Sequence, residues 1–86
     1  MITKELIIEN ETGLHARPAT AIVKKLATVN ADVSLECNGK KANAKSLIGV
    51  LSLGITKGDT VSVIVSGENE ETVCSEICEF IASLRD

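Results

Sequence analysis

Asn38-Gly39 joins two short runs, Asp32 to Cys37 and Lys40 to Ala44, and in the first of these Val33, Leu35 and Cys37 alternate with Asp32, Ser34 and Glu36. An Asn-Gly pair tolerates the two positive φ angles of a type I′ turn, whose twist matches that of paired strands, so the dipeptide predicts a tight antiparallel hairpin. A chain built around such a hairpin is not all-helical. Whatever helices it has must cover the apolar face that the strands leave.

Two further strands and three helical segments follow from periodicity. Ile2 to Ile8 is β-branched and apolar with Leu6 and Ile8 on one face, and Glu9 to Gly13 reads as the loop that ends it. Ala16, Ala19, Ile22, Val23, Leu26 and Ala27 recur at helical spacing, with Lys24 and Lys25 in the last turns. Pro18 is harmless only in a first turn, which puts the cap at Leu14 or His15. Ser46 precedes Leu47 to Leu51, a stretch suited to one or two turns capped by the hydroxyl, and Gly54 and Gly58 bracket its exit loop.

Thr60 to Ser66 alternates Val61, Val63 and Val65 against Ser62, Ile64 and Ser66, and Gly67 ends it. Glu68, Glu70 and Glu71 crowd the start of a last helix whose stripe is Val73, Ile77, Phe80, Ile81 and Leu84. The order β-α-β-β-α-β-α predicts an α+β fold, an open-faced two-layer sandwich of a four-stranded antiparallel sheet with helices on one face. Thr3, Glu5, Ser34, Glu36, Lys41 and Ser62 would line the wet face, from which Ile7 and Ile64 depart.

Composition narrows what such a domain can do. Residues 1–86 make one small domain that buries roughly 60–65% of the unfolded chain's surface, too little for a deep active site, so function should lie on the surface. A net charge of −3 and a single aromatic residue, Phe80, argue against nucleic acid, which needs a basic face and stacking rings. No signal-peptide pattern opens the chain and no run reaches membrane-spanning length, so a cytoplasmic protein without membrane insertion is expected. Cys37, Cys74 and Cys78 then read as reduced thiols.

His15 is the chain's one histidine, in Gly13-Leu14-His15-Ala16-Arg17-Pro18-Ala19. Imidazole is both nucleophilic and largely neutral near pH 7. The helix start offers unpaired N–H groups and Arg17 a planar cationic fork, so a phosphoryl group on the ring would find its oxygens held. A lone histidine can equally be a cap or packing group, and Arg17 a solvated charge. The two together at a helix start favour phosphate chemistry.

Thr12 to Ala19 and Asn43-Ala44-Lys45-Ser46-Leu47-Ile48-Gly49-Val50-Leu51-Ser52-Leu53-Gly54, at this spacing, resemble the HPr family of histidine-containing phosphocarriers of the bacterial phosphoenolpyruvate-dependent sugar phosphotransferase system. The resemblance spans essentially the whole chain. It implies that His15 accepts a phosphoryl group on Nδ1 from phospho-enzyme I and donates it to IIA units of sugar permeases, with Arg17 steadying the phosphate. A carrier of this kind is a substrate of other enzymes rather than an enzyme, works without a cofactor or metal, and is expected to be a monomer.

The resemblance also implies a second site. In the Gram-positive branch the serine matching Ser46 is phosphorylated by an ATP-dependent HPr kinase/phosphorylase, and a catabolite-control transcription regulator reads the result. As a plain helix cap the same hydroxyl would stabilise the fold by about 1 kcal/mol, and both roles are compatible. A phosphate there would act by placing a charge of about −2 on a docking surface rather than by unfolding the domain. Leu47, Ile48 and Leu51, with Ala16 and Thr20 from the first helix, are the expected partner-binding residues, although for Leu51 and Val50 core packing is the favoured role.

The remaining alternatives are weaker. Cys74 and Cys78, four residues apart, could face one another as metal ligands, but no cysteine or histidine partner lies nearby in sequence, which favours buried thiols. Lys24, Lys40, Lys41 and Lys45 could help steer acidic partners, but read by default as solvated charges. A phosphohistidine enzyme would need further convergent acid-base groups. A serine-tethered acyl carrier conflicts with the hairpin and with Lys45 ahead of Ser46, whereas an HPr-like protein with a mainly regulatory role in carbon catabolite control remains open.

Overall fold

A computed structural model describes residues 1–9, 11, 13–14 and 16–84. The elements run β1 (Ile2–Ile7), α1 (Ala16–Leu26), β2 (Asp32–Cys37), β3 (Lys40–Asn43), α2 (Leu47–Ser52), β4 (Thr60–Ser66) and α3 (Glu70–Ala82), the predicted order. Asn38 and Gly39 take φ of 54° and 80°, and Cys37 pairs with Lys40 across them, so the hairpin turn is the two-residue one the dipeptide demands.

All pairings are antiparallel, and the strand order is β1-β4-β2-β3. The last strand to be made therefore lies between the first two, leaving β1 and β3 as edges. Val33 and Leu35 face Val65 and Val63 across the central pair, and all four are fully buried. Each such side chain contributes about 1.5–3 kcal/mol of burial. From above, α1 adds Ala19, Ile22 and Leu26, and α3 lies across β1 and β4.

The apolar face of α3 differs from its expected composition. Cys74, Ile77, Cys78 and Ile81 are buried, while Val73, Phe80 and Leu84 pack at its margin. The two thiols act as small hydrophobic groups at i and i+4 on the buried face. Asn69, ahead of α3, is left-handed and makes no side-chain cap. Glu70, in the first turn, accepts instead from the preceding loop, from the Gly67 N–H at 3.3 Å, and from the N-terminal ammonium of Met1 at 2.8 Å.

Two strands end one residue earlier than their periodicity predicts. Ile8 leaves β1 to exchange backbone hydrogen bonds with Asp59 and Gly58, and Ala44 leaves β3 although its N–H still reaches Val33. The open sheet face carries Thr3, Glu5, Glu36 and Lys41 exposed and Ser34 and Ser62 half-buried. Ile64 is half-screened in a row between Thr3 and Ser34, whereas Ile7, at the end of the edge strand, stays 65% exposed. On the other face Lys4 sits between Ile2 and Leu6, opposite Val63, and is exposed. A charge there deters a further strand from adding to the β1 edge.

Candidate functional site

The segment that leads into α1 is fastened just ahead of His15. His15 and Thr12 lie outside the described residues. Leu14, one of the two expected cap positions, is non-helical and buried, and its N–H donates to the Ile55 carbonyl at 3.1 Å. Gly13 has φ of +65°, and a Cβ there would stand 2.4 Å from the Ile55 carbonyl oxygen and 2.6 Å from the Thr56 Cα. Only glycine fits both the left-handed backbone and the close approach.

Beyond His15 the first turn of α1 begins at once. Ala16 and Arg17 are exposed, Pro18 is buried within that turn where its missing N–H costs nothing, and Thr20 is half-buried. The Arg17 guanidinium makes no hydrogen bond or ion pair among the described residues, so its fork is available to an anion at the helix start.

Ser46 caps α2 as its position predicts. Its backbone is extended (φ −107°, ψ 117°), its hydroxyl accepts the Gly49 N–H at 3.1 Å, and its carbonyl accepts the Val50 N–H at 2.9 Å. Lys45 is not merely solvated, because its ammonium donates to the Val29 carbonyl just past α1 at 2.6 Å. That contact, with Leu14 on Ile55 at the other end, makes α1 and α2 antiparallel neighbours. Ser46 therefore lies at the end of α2 remote from the start of α1.

Between those ends α2 shows an apolar outer surface. Leu47, Ile48 and Leu51 are 37%, 81% and 39% exposed, while Val50 is fully buried. The core role considered for Leu51 thus falls to Val50 alone. Leu47 and Leu51, one helical turn apart, flank Ile48 on the solvent side.

Cys74 and Cys78 face one another with sulfurs 4.0 Å apart, and Cys37 is buried elsewhere. Burial, and then the neighbouring Cys74, push the Cys78 thiol up to about 11, with Lys4 acting weakly the other way. Among the described residues no third histidine, cysteine or carboxylate joins this pair in a cluster able to hold a metal.

The loop after α2 is the part that sequence reasoning leaves as a mere exit. Ile55 and Thr56 dock Gly13 and Leu14 and Asp59 docks Ile8, and the available signal was a Gly-Asp pair closing a turn at Gly58-Asp59.

The family described as the PTS HPr component phosphorylation site matches residues 2–83. The chain belongs to the HPr phosphocarrier family. Its function class is accordingly that of a phosphocarrier of the phosphotransferase system. The chain is 36% identical to the phosphocarrier protein HPr of Borreliella burgdorferi over 86 residues, which is all of both chains. Among solved structures it is similar to HPr of Thermoanaerobacter tengcongensis (TM-score 0.91, 36% identity, 96% of this chain and 93% of that one). It is also similar to the catabolite-repression protein Crh of Bacillus subtilis (TM-score 0.76, 35% identity, 95% and 94% covered), whose structure is a domain-swapped dimer. These HPr relatives share the open-faced α+β sandwich described above.

Proposed function

We propose that His15 is the phosphoryl acceptor, receiving the group on Nδ1 from phospho-enzyme I and donating it to IIA units of sugar permeases in the cytoplasm. The observation that carries this reading is the exposed Arg17 in the first turn of α1, without an ion pair among the described residues and two residues beyond a histidine whose preceding residues are pinned to the Ile55–Thr56 backbone. Such an arrangement can hold phosphate oxygens without enclosing them. The shallowness suits a relay, since a phosphoryl group bound too well would not leave. The domain acts as a substrate, with no turnover of its own.

Docking is assigned to Ala16, Thr20, Leu47, Ile48 and Leu51, which occupy α1's first turns and the outer surface of the neighbouring α2. Ser46 adjoins the same surface. ATP-dependent phosphorylation of Ser46 by an HPr kinase/phosphorylase would place charge beside Leu47 and Ile48, weakening phosphotransfer contacts and offering a recognition mark to a catabolite-control transcription regulator. The likeness to Crh favours a second reading, a mainly regulatory HPr-like protein. The presence of His15 favours the carrier, and a monomer is its proposed working state.

The test is incubation with enzyme I and phosphoenolpyruvate. One acid-labile phosphate is expected on the wild type and none on His15→Ala; label that survives the substitution overturns the carrier reading. For Ser46, an authentic HPr kinase with ATP should add acid-stable phosphate that Ser46→Ala abolishes, and an unlabelled wild type overturns the regulatory reading.

A further inference from the structure

Both ends of the loop that leads into His15 hang on one short turn. At one end Ile8 donates its N–H to the Asp59 carbonyl at 2.9 Å, and its own carbonyl accepts the Gly58 N–H at 2.7 Å. At the other end Leu14 donates to Ile55 at 3.1 Å, and Gly13 lies flat against Ile55 and Thr56. Between them, Lys57 and Glu11 form an exposed ion pair at 2.8 Å.

The turn in question, 55–59, is closed by its last residue. The Asp59 carboxylate oxygen Oδ2 accepts the Thr56 N–H at 2.9 Å and the Thr56 hydroxyl at 3.2 Å, while the Asp59 N–H returns to the Thr56 carbonyl at 3.1 Å. Bonds to an ionised acceptor are stronger than neutral ones, so the carboxylate is the firmest link in the turn. Burial, and then the charge of the same carboxylate, raise the pKa of the buried Cys37 thiol.

We propose that Asp59 is a positioning residue for the phosphoacceptor. By clamping Thr56 it sets where the Ile55 carbonyl and the Thr56 Cα stand, these fix Gly13 and Leu14, and the next residue is His15. The inference rests on the reading of His15 as the acceptor and adds a residue that touches neither phosphate nor partner. Asp59 is not among the docking residues assigned above and its side chain is spent on Thr56, so its loss should alter geometry in the transition state more than affinity for the donor.

The experiment is rapid-quench phosphorylation by enzyme I and phosphoenolpyruvate over a range of carrier concentrations. For Asp59→Ala the maximal rate should fall on the order of tenfold, the scale expected of a small misplacement of a reacting group, with KM unchanged within about twofold. Asp59→Asn, which keeps a side-chain oxygen for Thr56, should recover most of that rate. A purely structural role would lower the melting temperature and leave the folded fraction reacting at the wild-type rate, and that result overturns the inference. Should Asp59→Ala fail to fold, Asp59→Glu decides: the charge stays but moves by one methylene, so a reduced maximal rate supports positioning and a wild-type rate overturns it. A wild type that takes no label defeats the carrier reading and this inference together, whereas a labelled wild type matched by its Asp59 variants defeats this inference alone.

Discussion

The ammonium of Lys45 lies 2.6 Å from the carbonyl of Val29, fastening the start of α2 to the chain just beyond the end of α1. The carbonyl follows a helix C-terminus, where backbone oxygens lack intrahelical partners and a cation is welcome. Lys45→Met keeps the aliphatic stem and removes the donor. It should cost about 1–2 kcal/mol, the range for a half-buried hydrogen bond from a charged group, seen as a lower urea midpoint with an unchanged slope.

Gly13 and Gly39 both have positive φ, yet they should respond differently to alanine. At Gly39 nothing lies within 4 Å of the added Cβ, so only the backbone preference is lost, about 1 kcal/mol. At Gly13 the Cβ meets the backbone of Ile55 and Thr56, and a loss of about 2–4 kcal/mol is expected. Thermal unfolding of the two variants side by side checks the ordering.

Neighbouring residues of α2 should separate stability from docking. Val50→Ala removes fully buried methyl groups and should cost about 2 kcal/mol, with phosphotransfer intact in the folded fraction. Ile48→Asp alters an 81% exposed side chain and should change stability by less than about 0.5 kcal/mol. Its effect should instead be a raised KM for the carrier in phosphorylation by enzyme I.

The buried thiols give the fold an alkaline limit. Cys78 moves from an ordinary value of 9.0 up to about 11, chiefly through burial. The folded state therefore holds this proton more tightly than the unfolded one, and the associated stability is present below pH 9 and lost as pH climbs through 11. Urea midpoints of the wild type should fall across that window, and Cys78→Ala should show a shallower fall.

The legible parts of this chain were those dictated locally. Asn38-Gly39 set its own turn, Ser46 its own cap, and Val61, Val63 and Val65 their own face, because neighbouring residues alone decide those outcomes. The buried thiols of Cys74 and Cys78 were legible too, but Val73, Phe80 and Leu84 lie at the margin of the α3 stripe, because periodicity marks a face and only packing decides its centre. Leu51 was ambiguous because Val50 beside it is equally apolar, and only packing against the sheet and α1 selects between them. In the site, Arg17 and the apolar residues were visible as residue types. The role of Asp59 was not, because a carboxylate that shapes a turn acts through backbone contacts with residues far off in sequence.

The placement of β4 between β1 and β2 governs the order in which the molecule can assemble. The hairpin of β2 and β3 closes within a dozen residues and can form early, whereas Ile2 must wait for Val65 and Leu14 for Ile55. Such distant closures are entropically costly and slow. As the chain is synthesised, its first strand and the histidine loop behind it have nowhere to dock until most of the sequence exists. Competence to carry phosphate should consequently be among the last properties the folding chain acquires.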